Sequence, residues 1–165
     1  MSTYELFLFL HVASVIVWLG AGTTLAVLWL SPDSVLRARV GELGAWLGPR
    51  LFAPASLGAL AFGLVLVQKG SWTFHPLWIK LGLAAFATSF VLNAGVRARL
   101  LRRLERDPVG VGKRLAALAR FEIAVLYLTV ADMVAKPTTA DVWTLAVLGG
   151  ILALVAASSL LGLRT

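Results

Sequence analysis

Five apolar runs, at about 4–30, 46–68, 77–100, 117–135 and 142–163, take up most of this 165-residue chain. Each approaches the ~20 residues that carry an α-helix across ~30 Å of hydrocarbon. A bilayer offers no water to open backbone N–H and C=O groups, so such runs are expected to be helical. The expected fold is therefore all-α: one domain over 1–165, a polytopic transmembrane bundle of about five helices. Charge agrees, because only 14% of residues are charged, against about 25% in a soluble domain.

The breaks between runs carry helix-ending residues. Ser31-Pro32-Asp33-Ser34 closes the first run, Lys69-Gly70-Ser71 the second, and Lys136-Pro137-Thr138-Thr139 the fourth, while Pro76 opens the third. Pro54 falls early in the second run, where a helix either tolerates it or kinks. Glu5 and no basic residue precede the first run, unlike a cleavable signal peptide, so that helix is expected to be retained.

The net charge of +7 sits in the linkers. Arg97, Arg99, Arg102, Arg103, Arg106, Lys113, Arg114 and Arg120 lie between runs three and four or at their facing ends; Arg37 and Arg39 precede run two, Arg50 lies in its first turns, and Arg164 is in the tail. The other side has Lys69 and Lys136, with Lys80 just inside run three. The basic side is expected to be cytoplasmic, with the N-terminus outside and the C-terminus inside. Anionic lipid is the expected partner of the basic loop. Nucleic acid is not expected, since no aromatics interleave those arginines. Cysteine is absent, which excludes disulfides, thiolate metal sites and c-type haem attachment.

Residues 35–47 alternate Val35, Leu36, Val40, Leu43 and Leu47 with Arg37, Arg39 and Glu42, which suggests a short amphipathic helix on the inner surface. Small residues recur at packing intervals: Ala55, Ala59 and Gly63 in helix two, and Gly149, Ala153 and Ala157 in helix five. Bundle packing is the expected use of both stripes. A homodimer through helix five is the sharper reading of the second.

Ionisable residues inside a membrane helix are costly and point to function. His11, Lys80, Glu122 and Asp132 qualify, with the polar Asn93. A rise of 1.5 Å per residue puts His11 and Lys80 about 10 Å, and Asp132 about 6 Å, outside the midpoints of their helices. A Lys80–Asp132 interaction with His11 nearby is expected, in a polar network with Ser14 and Trp18 on the His11 face. By type, His11, Asp132, Met133 and His75 are candidate metal or haem ligands. Each also has an ordinary reading: a hydrogen-bonded structural His11, a Lys80 that snorkels beside Trp78, an Asp132 paired with Lys136, a solvated His75, a packed Met133. On the inner side a contact of Glu122 with Arg97 or Arg99, near Asn93, is expected to lock helices three and four structurally.

Leu10-His11-Val12 followed by Trp18-Leu19-Gly20 resembles the first helix of CopD-like copper-resistance membrane proteins, and HemJ-type protoporphyrinogen oxidases open on a related pattern. Trp78-Ile79-Lys80-Leu81 through Leu92-Asn93 and Arg97, then Arg120-Phe121-Glu122, resemble the following CopD helices. Asp132-Met133-Val134-Ala135-Lys136-Pro137 is similar to the Met-Val-x-Lys-Pro ending of a family of small four-helix bacterial membrane proteins. The resemblance covers helices one to four and implies a four-helix unit with a fifth helix appended, in a bacterial cytoplasmic membrane. It implies copper as the metal and His11 as its anchor. Three functions stay open: binding or moving copper or haem in the outer half of the bundle, a b-type haem oxidoreductase, and a non-catalytic accessory subunit.

Overall fold

The computed structural model describes residues 2–31, 33–70, 72–104 and 106–161. These residues form a helical bundle with no strand among them. The turn residues Pro32 and Ser71, the last residues of the expected fifth helix, Gly162 and Leu163, and the tail Arg164 lie outside this set.

Helix α1 spans Thr3–Trp29. Ser2 caps it by accepting from the Glu5 backbone N–H, while the Glu5 side chain accepts from the Ser2 N–H. That reciprocal box satisfies two N–H groups a helix start leaves open. Helix α2, Ser34–Leu47, is capped by Asp33 and runs through a π turn, Gly48–Phe52, into α3, Ala53–Lys69. Pro49 and Pro54 each lack an N–H. The wider π turn, whose last bond joins the Ala53 N–H to the Gly48 carbonyl, lets the helix pass both without ending.

Helix α4, Leu77–Val91, likewise passes through a π turn, Leu92–Arg97, into α5, Ala98–Leu101. Helix α6 covers Pro108–Ala135, starting nine residues before the expected 117. Asp107 caps it, accepting from the Gly110 N–H, and Pro108 sits in the first turn, where a missing N–H costs nothing. It ends on Lys136, whose left-handed backbone (φ 47°) precedes Pro137. Helix α7 is Val142–Leu161. In the preceding turn Asp141 accepts from the backbone N–H and the hydroxyl of Thr138, which hold its carboxyl below the usual range.

Four helical stretches are long and apolar enough to cross a membrane: Thr3–Trp29, Val35–Lys69, Leu77–Leu101 and Val142–Leu161. Helix α6 is the fifth long helix and carries Arg120, Glu122 and Asp132 within its apolar half. The chain is thus a polytopic transmembrane helix bundle.

Helix α1 packs on α3 and α6, and α6 packs on α4 and α7. Helices α3 and α4, although successive, barely touch, which leaves a seam between them. The bundle has a histidine end, where α1 begins and the 70–76 and 136–141 turns lie. Its opposite, basic end holds the arginine-rich linkers. There Leu25, Trp29, Val40, Val111 and Leu115 form a core. Helix α2 is therefore seated on the bundle through Val40, with only its other faces exposed. Burial of one such side chain from water contributes roughly 1.5–3 kcal/mol.

The small-residue stripes behave differently. Ala59 and Gly63 face α1, against His11. Gly149, Ala153 and Ala157 are exposed, and a Cβ on Gly149 would meet no other side chain within 4 Å. The expected use of that second stripe in intrachain packing is corrected: α7 turns Leu145, Leu148, Leu152 and Ser159 inward instead.

Candidate functional site

Close approach of α1 and α3 positions the single histidine of the helices. The ring Nδ1 of His11 lies 2.8 Å from the Ala59 carbonyl oxygen. A carbonyl only accepts, so Nδ1 carries the proton and donates, and Nε2 holds the free lone pair. Nε2 makes no hydrogen bond among the described residues. Gly63 makes the approach possible, since a Cβ there would stand 3.1 Å from His11 Cε1 and 3.2 Å from Nδ1. One turn along, Gly58 leaves room for Ser14, whose Oγ would be 2.8 Å from such a Cβ. Gly63→Ala is expected to tilt the imidazole and lower stability by about 1–3 kcal/mol. An unchanged melting midpoint, with an unmoved His11 Nδ1–H resonance, would refute this packing.

His11 lines a cavity of about 250 Å³ at the histidine end, together with Thr129 and Met133 of α6. Gly82 of α4 makes space for the thioether: a Cβ there would lie 3.1 Å from Met133 Cε. Trp72, Trp78 and Lys136 also line this cavity. The two indoles meet edge-on at 5.6 Å, and the Lys136 ammonium sits over both, 5.2 Å and 5.6 Å from their centroids. Cation–π attraction accounts for where this lysine points.

A second cavity, about 380 Å³, occupies the basic end between α1, α3, α4 and α6. Its polar wall is Ser89, Asn93, Arg97 and Glu122. The Asn93 amide donates to the Ser89 carbonyl and to Glu122, and the Arg97 guanidinium pairs with the other Glu122 oxygen. The π turn carries both Asn93 and Arg97 to this carboxylate. The two cavities share Trp18, Phe86 and Leu126 in their walls. Trp18 and Phe86 meet at 5.8 Å with their planes 67° apart. These side chains lie where the two cavities adjoin, near mid-depth of the bundle.

The structure thus brings His11 and Met133 to one cavity, and Asn93, Arg97 and Glu122 to another. It does not bring Lys80 to Asp132. Ile79, Gly82 and Ser89 mark the buried face of α4, and Lys80, one residue past Ile79, is turned about 100° away and exposed. Asp132 is 3% exposed, and neither carboxylate oxygen has a partner among the described residues. It lines neither cavity. Nor does it pair with Lys136, whose ammonium the indoles hold. Of the expected network, Ser14 faces Gly58 and Trp18 faces Phe86, so its members do not form a connected cluster with Lys80 and Asp132. His75 is exposed in the 70–76 turn and lines neither cavity. The Trp18–Phe86 contact and the buried Ser89 carried no signal in the sequence, resting on a lone Phe and a lone Ser in apolar runs.

The donors define what fits. Among the described residues no three His, Cys, Asp or Glu side chains stand close enough to hold a metal. One imidazole and one thioether suit a soft ion of low coordination number, copper(I), and do not suit zinc or copper(II). For a porphyrin the cavity is small, below the ~300–1,000 Å³ of ordinary small-molecule pockets.

No protein-family model, curated protein or solved structure matches this chain. The class rests on the fold alone, a multi-pass membrane helix bundle.

Proposed function

We propose that this protein binds and passes copper(I) through the cavity at its histidine end. The observation that carries the reading is the His11–Ala59 hydrogen bond, which leaves Nε2 free in a cavity shared with Met133. Metal-binding histidines commonly donate their other N–H to a carbonyl in this way, which fixes the tautomer and the ring. His11 is the anchor and Met133 the second donor. The excess of Lys and Arg at the opposite end supports an outward histidine end and a cytoplasmic basic end resting on anionic headgroups. The setting implied is a bacterial cytoplasmic membrane.

The test is elemental and optical analysis of detergent-purified protein loaded with copper(I). One colourless equivalent is expected, lost in His11→Ala and weakened in Met133→Leu. Copper retained by His11→Ala at full stoichiometry overturns the site. A haem absorption band in the purified protein overturns it in favour of a haem carrier.

A further inference from the structure

The cavity at the basic end holds two hydrogen-bond donors that the protein leaves unused. Ser89 is 1% exposed and its hydroxyl has no partner among the described residues. Most serines in helices satisfy themselves on the carbonyl four residues back, as Thr88 does on Ala84. Ser89 does not. Arg97 commits its terminal nitrogen to Glu122, but its Nε is buried and also without a partner. A buried donor left unsatisfied loses its hydration with nothing in return. Both residues line the same cavity.

We infer that this cavity binds a quinone, a flat ring with a carbonyl at each edge, drawn from the bilayer. A guanidinium Nε–H can only donate and a serine hydroxyl can donate, so the occupant must accept at two places. Ser89 and Arg97 are eight residues apart, about 12 Å of helix rise. Two carbonyls on opposite edges of one ring, each accepting at about 2.9 Å, let one flat head reach donors that stand about two turns apart on the same helix. The head is neutral, because Glu122 already balances Arg97 and its carboxylate repels an anion. Trp18, Phe52, Phe86 and Phe90 supply aromatic walls. At about 380 Å³ the cavity falls within the ordinary range for small ligands. Helices α3 and α4 both line the cavity and barely touch each other, and Leu57 and Phe90 in its wall are exposed, so an isoprenoid tail can stay in lipid while the ring is bound. The inference concerns binding, and it stands independently of copper.

The experiment titrates the detergent-purified full chain with decyl-benzoquinone by calorimetry. Saturable one-to-one binding is expected, weakened about 2–10-fold in Ser89→Ala, the equivalent of one net hydrogen bond. Arg97→Lys keeps the charge opposite Glu122 but removes the Nε–H, and a loss of the same size is expected. Thr88→Ala, on the exposed neighbouring position, should bind as the parent does. Decanoate, with the same tail and an anionic head, should fail to compete. The inference is overturned by absence of binding, by parent-like affinity in both Ser89→Ala and Arg97→Lys, or by decanoate binding more tightly than the quinone.

Discussion

Glu122→Ala is expected to destabilise the bundle by about 3–5 kcal/mol, the usual penalty for removing one partner of a buried ion pair. Glu122 is 8% exposed and the Arg97 side chain 21%, so water screens the pair poorly. One carboxylate serves both Asn93 and Arg97. Its loss strands the guanidinium and leaves the Asn93 amide only its bond to the Ser89 carbonyl. The stranded charge, more than the lost attraction, sets the size of the effect. Replacing both partners by leucine should therefore recover most of the stability, since no uncompensated charge is left. Thermal melts in one detergent, for the two single variants and the double, check this. A double variant as unstable as Glu122→Ala would show that the polar contact itself holds α4 to α6.

Asp132→Asn is expected to move stability the other way, upward by about 1–3 kcal/mol. Most substitutions at buried sites destabilise, so the sign alone is informative. The carboxylate is buried with both oxygens unpartnered among the described residues. The amide keeps its shape and removes the chance of an uncompensated charge. A group retained at a cost in stability is commonly retained for function. If copper loading or passage falls in Asp132→Asn while the melting temperature rises, the carboxylate serves the metal path from outside the cavity. A fall in melting temperature would mean that Asp132 holds a stabilising partner.

Residue order made the membrane helices legible because lipid enforces one rule on every span: long, apolar and hydrogen-bonded within itself. It made the neighbourhood of Glu122 and Arg97 legible because both sit at the same helix depth, beside a loop of arginines. Depth was insufficient for Lys80 and Asp132. They share a level but not a face, and facing depends on which side of α4 meets α6. The early start of α6 was written in Asp107-Pro108, a cap followed by a first-turn proline, but the arginines and lysines around it hid the helix from a hydrophobicity reading. The two π turns were not legible, because each arises where a continuous helix absorbs prolines or a packing offset. His11 was visible as an oddity in an apolar run. Its orientation was not, since that depends on Gly63, which lies in α3, a different helix.

The edge-on contact of Trp18 with Phe86 has an electrical consequence. A cavity open to water carries little of the voltage across a membrane, so the drop concentrates in whatever dry layer remains. Wherever water fills both cavities, the apolar side chains common to their walls, Trp18, Phe86 and Leu126, form that layer. Every elementary charge that crosses it works against about 2.3 kcal/mol per 100 mV in a single step. An apolar constriction of this kind also breaks any thread of water along which protons could leak. Where copper(I) binds His11 as proposed, it sits on the histidine-end side of that layer.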